Sequence, residues 1–333
     1  MKRHYKFIGV FFLFVFLFLG FTYYYKVNMR LYNKSEVYFI VKQGDSINKI
    51  AEYLLNKKVI RSKNFFLYYA KIKGFDRNIM VGNYIISTNK DLDFLFKKLT
   101  SGKSDFAIVT IPEGYNLYQI AKKLEEKGLL KKEDLLNAKI SDFDKEGLIQ
   151  LDKNAYYELE GYLYPDTYYI PYNLTSKEII NIMFERFINK YKPFIKRQKE
   201  LNLSLREVIT IASLIEKESY NDEERRRISG VIYNRLQRNM PLQIDATVIY
   251  AITKGEKHIN RLYYKDYKFE SPYNTYKIIG LPPGPIASPG IKSIEAALNP
   301  EKHQYLYYVL SGNGHVFSKT YEEHIKNVHK YIQ

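Results

Sequence analysis

Apolar residues are spaced along this chain in three ways, and each spacing predicts a different element. From residue 7 to residue 25 they run without an intervening charge. A run of that length is close to the ~20 residues that an α-helix needs to cross a bilayer. Elsewhere they recur at i, i+3, i+4 and i+7, the stripe of a helix with one face in a core. Residues 47–54, 91–99, 117–124, 176–200, 205–220 and 222–238 carry helical patterns, and a last helix is expected from Thr320. The third arrangement is the short β-branched and aromatic run, of which Val37-Tyr38-Phe39-Ile40-Val41 is the clearest. It lacks polar alternation, so burial on both faces is expected. Residues 132–158 read as helical and polar, a candidate linker, and the chain after Pro241 reads as short strands, loops and Gly/Pro turns. This is no regular strand–helix alternation, and the class is α+β.

One pattern occurs twice. Val41-Lys42-Gln43-Gly44-Asp45-Ser46-Ile47, followed by Ile50, Ala51 and Leu54, recurs about 70 residues later as Ile111-Pro112-Glu113-Gly114-Tyr115-Asn116-Leu117, followed by Ile120, Ala121 and Leu124. Each copy predicts a strand, a Gly-containing turn and an amphipathic helix. Gly44-Asp45-Ser46 with Ile50-Ala51 resembles a LysM module, a βα unit that binds polymers containing N-acetylglucosamine; a plain strand-turn-helix packing unit is the alternative. Ser101-Gly102-Lys103-Ser104 is no phosphate loop, because Lys97 stands where that loop needs its first glycine.

Lys2, Arg3 and Lys6 precede the apolar run and Tyr23, Tyr24 and Tyr25 close it. That order predicts a cytoplasmic N-terminus and an interfacial tyrosine belt on the far side. No Ala-x-Ala site follows, so the segment reads as a retained single-pass anchor of the cell membrane, with the rest of the chain outside the cytoplasm. The expected organisation is a tail over 1–6, an anchor over 7–25, a LysM-like module over 36–105, a second βα repeat with linker over 106–158, and a catalytic domain over 159–333. The 333 residues have 46% hydrophobic and 26% charged side chains, the balance of a folded chain. A net charge of +16 fits nucleic acid, anionic lipid, an anionic wall polymer or a lysine-rich solvated surface. With the chain outside the cytoplasm, nucleic acid drops out as a partner. The absence of cysteine excludes disulfides, thiolate metal sites and cysteine nucleophiles.

Candidate chemistry rests on carboxylates. His324 and His329 are five apart, which is not the spacing of a helical zinc pair, and there is no Gly-x-Ser-x-Gly elbow. Ser204 and Glu207 have capping-box spacing, which starts a helix. On it Leu205, Val208, Ile211, Ala212 and Ile215 form one stripe, Glu218 projects within reach of that stripe, Glu216 lies at its opposite margin and Lys217 faces away. A carboxyl among apolar neighbours stays protonated nearer neutral pH and can act as a general acid. On position alone, Glu218 also fits a surface carboxylate paired with Arg225 or Arg226.

Ile211-Ala212-Ser213-Leu214-Ile215-Glu216-Lys217-Glu218-Ser219 resembles the active-site helix of the endolytic murein transglycosylases, the YceG-like (MltG) family. Six further blocks agree in order: 159–168, beginning Leu159-Glu160-Gly161-Tyr162; 231–236, containing Tyr233-Asn234-Arg235; 240–250, containing Gln243-Ile244-Asp245-Ala246-Thr247; Tyr273-Asn274-Thr275-Tyr276; 280–286; and Gly314-His315-Val316-Phe317-Ser318. Ile244, Ala246 and Ser288 depart from the family's usual residues. The resemblance implies a catalytic domain of helices and short strands with a lysozyme-like active-site helix, and Glu218 as catalytic acid. It implies non-hydrolytic cleavage between N-acetylmuramic acid and N-acetylglucosamine of nascent peptidoglycan strands, leaving 1,6-anhydro ends and ending strand elongation. Peptidoglycan synthases are the implied partners, and no cofactor or metal is implied. A hydrolytic muramidase and a non-catalytic wall-binding scaffold are the alternatives. Asn234, Gln243, Asn274 and Thr275 are expected to hydrogen-bond sugar substituents, and Tyr162, Tyr250 and Tyr276 to offer flat faces to sugar rings; Thr247 is a further candidate contact. Asp245 is either a second carboxylate or a loop-capping residue.

Overall fold

The computed structural model describes residues 2–32, 36–87 and 89–331, with side chains from residue 7 onward. Lys2, Arg3 and Lys6, on which the expected orientation rests, therefore lie outside the described side chains. The chain divides into two compact units, Met1–Ala107 and Ile108–Gln333.

The first unit opens with α1 (Lys2–Met29), whose Phe7–Met29 portion is long and apolar enough to cross a membrane. Then come β1 (Val37–Val41), α2 (Ile47–Asn56), α3 (Lys63–Lys73), β2 (Gly82–Ile86) and α4 (Leu92–Leu99). Ser46, Ser62 and Asp91 each accept a backbone N–H at the start of their helix, a cap that contributes about 1 kcal/mol. β1 and β2 pair antiparallel, with Phe39 opposite Tyr84. Phe39, Val41, Ile50, Leu54, Phe66, Tyr84, Ile86 and Phe96 fill the core. The expectation that β1 is buried on both faces is corrected. Phe39 and Val41 point inward while Tyr38 is exposed and Ile40 half-buried, because a two-stranded sheet has helices on one face only. An apolar residue on the outer face hides the alternation from sequence.

In the second unit, β3 (Phe106–Thr110), in which the boundary falls, pairs with β4 (Thr167–Pro171). Between them lie α5 (Leu117–Glu126) and α6 (Lys132–Leu136). Residues 132–158 are mostly turns, not helix, and they pack: Leu135, Ile140, Phe143 and Ile149 are buried, and Glu158 accepts from Lys139 and the Ile140 N–H. The long helical pattern at 176–200 breaks into α7 (Ser176–Tyr191), a 3₁₀ turn containing Pro193, and α8 (Ile195–Glu200). Proline ends the first helix because it lacks the N–H and crowds the preceding turn.

At the centre is α9 (Leu205–Glu218), started by the reciprocal Ser204–Glu207 box. Every residue from 208 to 215 is buried, as in a helix surrounded by other elements. α10 (Arg225–Gln237), α11 (Asp245–Thr253) and α12 (Ile291–Leu298) pack around it. Leu214 on α9 is fully enclosed; Leu214→Ala would cost about 2–5 kcal/mol. α11 and α12 were not expected after Pro241. Five of the nine α11 residues are β-branched, a strand-favouring composition that packing overrides. The hairpin β5 (Tyr307–Ser311) and β6 (Gly314–Ser318) and the helix α13 (Tyr321–Tyr331) close the unit.

Candidate active site

α9 delivers two glutamates to different tasks. Glu216 is nearly enclosed, and its Oε2 accepts from the Gly290 N–H (3.0 Å) and the Ser293 hydroxyl (2.8 Å) and pairs with Arg225 (3.1 Å). It joins α9 to the start of α12. Arg225 is thereby occupied by Glu216 and Asp222, which removes the pairing that would have made Glu218 an ordinary surface carboxylate.

Glu218, the last residue of α9, is half-buried where the helix leaves the core. Its Oε2 accepts from the Tyr308 hydroxyl at 2.8 Å. Burial pushes the carboxyl up to about 7; the Tyr308 donor and Lys217 pull it down, and the nearby Asp245 charge pushes it up. A group balanced there can give a proton and take one back.

Two concavities meet at this point. One, about 440 Å³, is lined by Arg235, Gln243, Tyr276, Tyr307, Tyr308 and His324 among others. The other, about 310 Å³, is lined by Asn116, Gln119, Ile249, Tyr250, Lys257 and His258 among others. Lys217, Glu218 and Asp245 belong to both. Lys217, expected to face away, therefore borders the groove, and its Nζ reaches the Gly114 carbonyl at 3.4 Å. It lies at the helix end, where the neighbouring turn is absent and a long side chain can fold across.

Asp245 is the first residue of α11. Tyr276 donates to its Oδ1 (2.6 Å) and Tyr267 to its Oδ2 (3.3 Å). Of the sequence candidates, Gln243, Asp245, Tyr250 and Tyr276 line the concavities with Glu218. Thr247, Asn274 and Thr275 are buried and line neither. Thr247 bonds the Ile244 carbonyl and Thr275, Thr275 accepts the Ile244 N–H, and Asn274 donates to the Tyr267 and Phe269 carbonyls. These bonds fix the start of α11 and so the place of Asp245. Asn234 holds the backbone entering β5 through the His303 and Tyr305 carbonyls. Tyr162 is enclosed against Phe187 in the core. Tyr250, besides lining the groove, donates to Glu160 at 2.8 Å, and Glu160 caps α5 through the Leu117 N–H.

Sequence reasoning missed Tyr308, Arg235 and His324. Arg235 is buried and gives its N–H groups to the carbonyls of Leu306, Pro241 and Leu242 and to Gln243 Oε1. It ties α10 to both walls of the larger concavity. His324 stacks on Tyr307, has a buried Nδ1 without a partner among the described residues, and is pulled toward neutrality by burial and by Arg235. No local signal marks Tyr308, one of 33 tyrosines, 90 positions from the carboxyl it serves.

The aim of Tyr308 is set from behind. Glu224, at the start of α10, accepts both the His315 N–H (2.8 Å) and His315 Nδ1 (2.7 Å), and the His315 ring meets Tyr308 edge-on at 5.2 Å. Gly314 stands at φ +113, and a Cβ there would collide with Glu224 Oε1.

The family model described as the YceG-like family matches residues 39–330. A Bacillus subtilis protein named endolytic murein transglycosylase is 39% identical over 322 residues, covering 90% of this chain and 86% of its own. A Streptococcus pneumoniae protein of the same name is 33% identical over 318 residues, covering 88% of this chain and 58% of its own. Among solved structures, a Listeria monocytogenes protein described as yceG-like superposes with a TM-score of 0.64 at 37% identity, over 87% of this chain and 98% of that one.

Proposed function

The chain belongs to the YceG-like family, and we propose that it is an endolytic murein transglycosylase in which Glu218 alone carries the proton both ways. The observation that carries this reading is the position of Glu218, held near pKa 7 where two concavities meet. That is the arrangement needed to hold a glycan on both sides of one bond.

Protonated Glu218 gives its proton to the oxygen between N-acetylmuramic acid and N-acetylglucosamine as that bond breaks. Positive charge grows at the muramic anomeric carbon, beside Asp245, and an anion so placed stabilises it. Glu218, now a carboxylate, removes the proton from the muramic 6-hydroxyl while that oxygen closes on the anomeric carbon. The proton lost in the first step is regained in the second, no water is consumed, and the product ends in a 1,6-anhydro ring. Tyr308 donates to the carboxylate between the two steps and steadies it.

The first unit, with a βα order resembling a LysM module, serves in this reading to hold glycan. α1 anchors the chain with its N-terminus in the cytoplasm, the groove faces the wall, and peptidoglycan synthases supply the nascent strand that the enzyme ends. The test is borohydride labelling of digests of polymerised glycan. Transglycosylation leaves the number of reducible ends unchanged as strands shorten; a rise in step with the cuts would contradict it and favour a hydrolytic muramidase, with Asp245 activating water.

A further inference from the structure

Within the first unit, a set of cations without acidic partners among the described residues surrounds a concavity at the foot of α1. A concavity of about 1060 Å³ in the first unit is lined by Tyr25, Lys26, Met29 and Arg30 from α1 and the residue after it, and by Arg61, Lys90 and Phe94 opposite. Four of its lining residues are cations and one, Asp91, is an anion. Asp91 is already engaged, accepting the Phe94 N–H at 2.9 Å to cap α4. Among the described residues none of Lys26, Arg30, Arg61 and Lys90 lies within salt-bridge distance of a carboxylate.

The corner is built by the fold. Tyr24 and Tyr25 meet Phe65 edge-on, each at 5.7 Å, which docks the end of α1 on α3. The Leu31 N–H bonds the Lys90 carbonyl at 3.0 Å, the Tyr32 N–H bonds the Val59 carbonyl at 2.9 Å, and the Arg30 backbone pairs with that of Asp91 in an antiparallel β-bridge. Arg61 lies over the Tyr32 ring at 4.6 Å, which fixes its guanidinium plane. The apolar span reaches Met29, and its last turns carry Tyr23, Tyr24 and Tyr25, residues suited to the membrane–water interface. A concavity beside them stands at headgroup depth. Two guanidinium groups and two ammonium groups there match a phosphate, which arginine grips with paired N–H donors.

We propose that this corner binds the anionic phosphate headgroup of a lipid drawn from the bilayer that α1 enters. The occupant is a lipid, not a soluble anion, because apolar α1 forms one wall and carries the acyl chains alongside. The site holds the first unit at a fixed height and tilt on the membrane and is independent of the chemistry at Glu218.

The experiment uses the full chain in nanodiscs of phosphatidylcholine with or without phosphatidylglycerol, and native mass spectrometry counts the lipids retained. Phosphatidylglycerol is expected to be retained over phosphatidylcholine, and Arg30→Gln/Arg61→Gln to cut that preference by a factor of about ten. Lys319→Gln, remote in sequence and exposed, is expected to leave it intact. An unchanged thermal transition shows that the double variant is folded. Equal retention of both lipids, or a preference that survives the double substitution, would overturn the proposal. So would full displacement by millimolar inorganic phosphate, which would assign the site to a free anion. Failure of the chain to enter phosphatidylcholine discs would remove its premise.

Discussion

At Glu218 enclosure raises the carboxyl while the Tyr308 hydroxyl, donating to Oε2, holds it down. Asp245 acts the other way, since its negative charge disfavours a second one nearby. Two substitutions should therefore move the pH profile in opposite directions. Tyr308→Phe removes a donor to the charged form, so Glu218 stays protonated to higher pH and the alkaline limb of kcat/KM moves up by roughly one unit. Asp245→Asn removes the repulsion and moves that limb down. It also lowers kcat, because charge growing at the anomeric carbon loses its neighbour. Profiles between pH 5 and 9 check both; shifts of the same sign would contradict the arrangement. His324 offers a separate reading of the groove. Its ring stacks on Tyr307 in the groove wall, so His324→Ala is expected to raise KM and to leave the position of the alkaline limb unchanged.

Among the elements, the β5–β6 hairpin matters because it brings Tyr308 to α9. Gly314→Ala forces a side chain onto a φ that alanine rarely adopts and into Glu224. A cost of roughly 1–3 kcal/mol in stability is expected, together with loss of activity as Tyr308 loses its aim. Ser204→Ala is the counterpart at the other end of α9. It costs about 1 kcal/mol and leaves the pH profile in place, as denaturant melts and kinetics on the same sample will show. α9 was legible in sequence because its box, its stripe and its carboxyl lie within fifteen consecutive residues, Ser204 to Glu218. The hairpin's role was not, since the Glu224–His315 and Tyr308–Glu218 bonds span 91 and 90 positions. α11 was hidden by its β-branched residues, although Asp245 and Tyr250 on it were singled out through family blocks.

For the molecule as a whole, two carboxyls among the described residues are held near pKa 7. Glu160, enclosed between α5 and Tyr250, is raised to about 7, as Glu218 is, and for the same leading reason, burial. Each ionises near 4.5 in the unfolded chain, so the folded state holds the extra protons between those values. Their contribution to stability is full below pH 4.5 and is lost as pH rises through 7. Glu160→Gln removes that dependence for one group. Relative to wild type, the variant gains roughly 3 kcal/mol between pH 4.5 and pH 8, an order-of-magnitude figure from the size of the shift, read from denaturant midpoints at the two pH values. A parallel fall in both proteins would contradict it. The α+β class and the long apolar N-terminal helix were open to sequence reasoning because each is a local pattern. The groove was not, because its walls come from α5, α9, α11, β5 and α13, and only folding places them together.

Mass spectrometry of the glycan fragments released by wild type and by Glu218→Gln, side by side on the same polymerised strands, tests the central claim most directly. At each cut, wild type is expected to release a fragment lighter by one water than the hydrolysis product and ending in an anhydro ring. Glu218→Gln, folded by its unchanged thermal transition, is expected to release them at least a hundredfold more slowly, at about the loss of one general acid/base. New reducing muramic ends made by wild type at the cuts, or undiminished release by Glu218→Gln, would contradict the account.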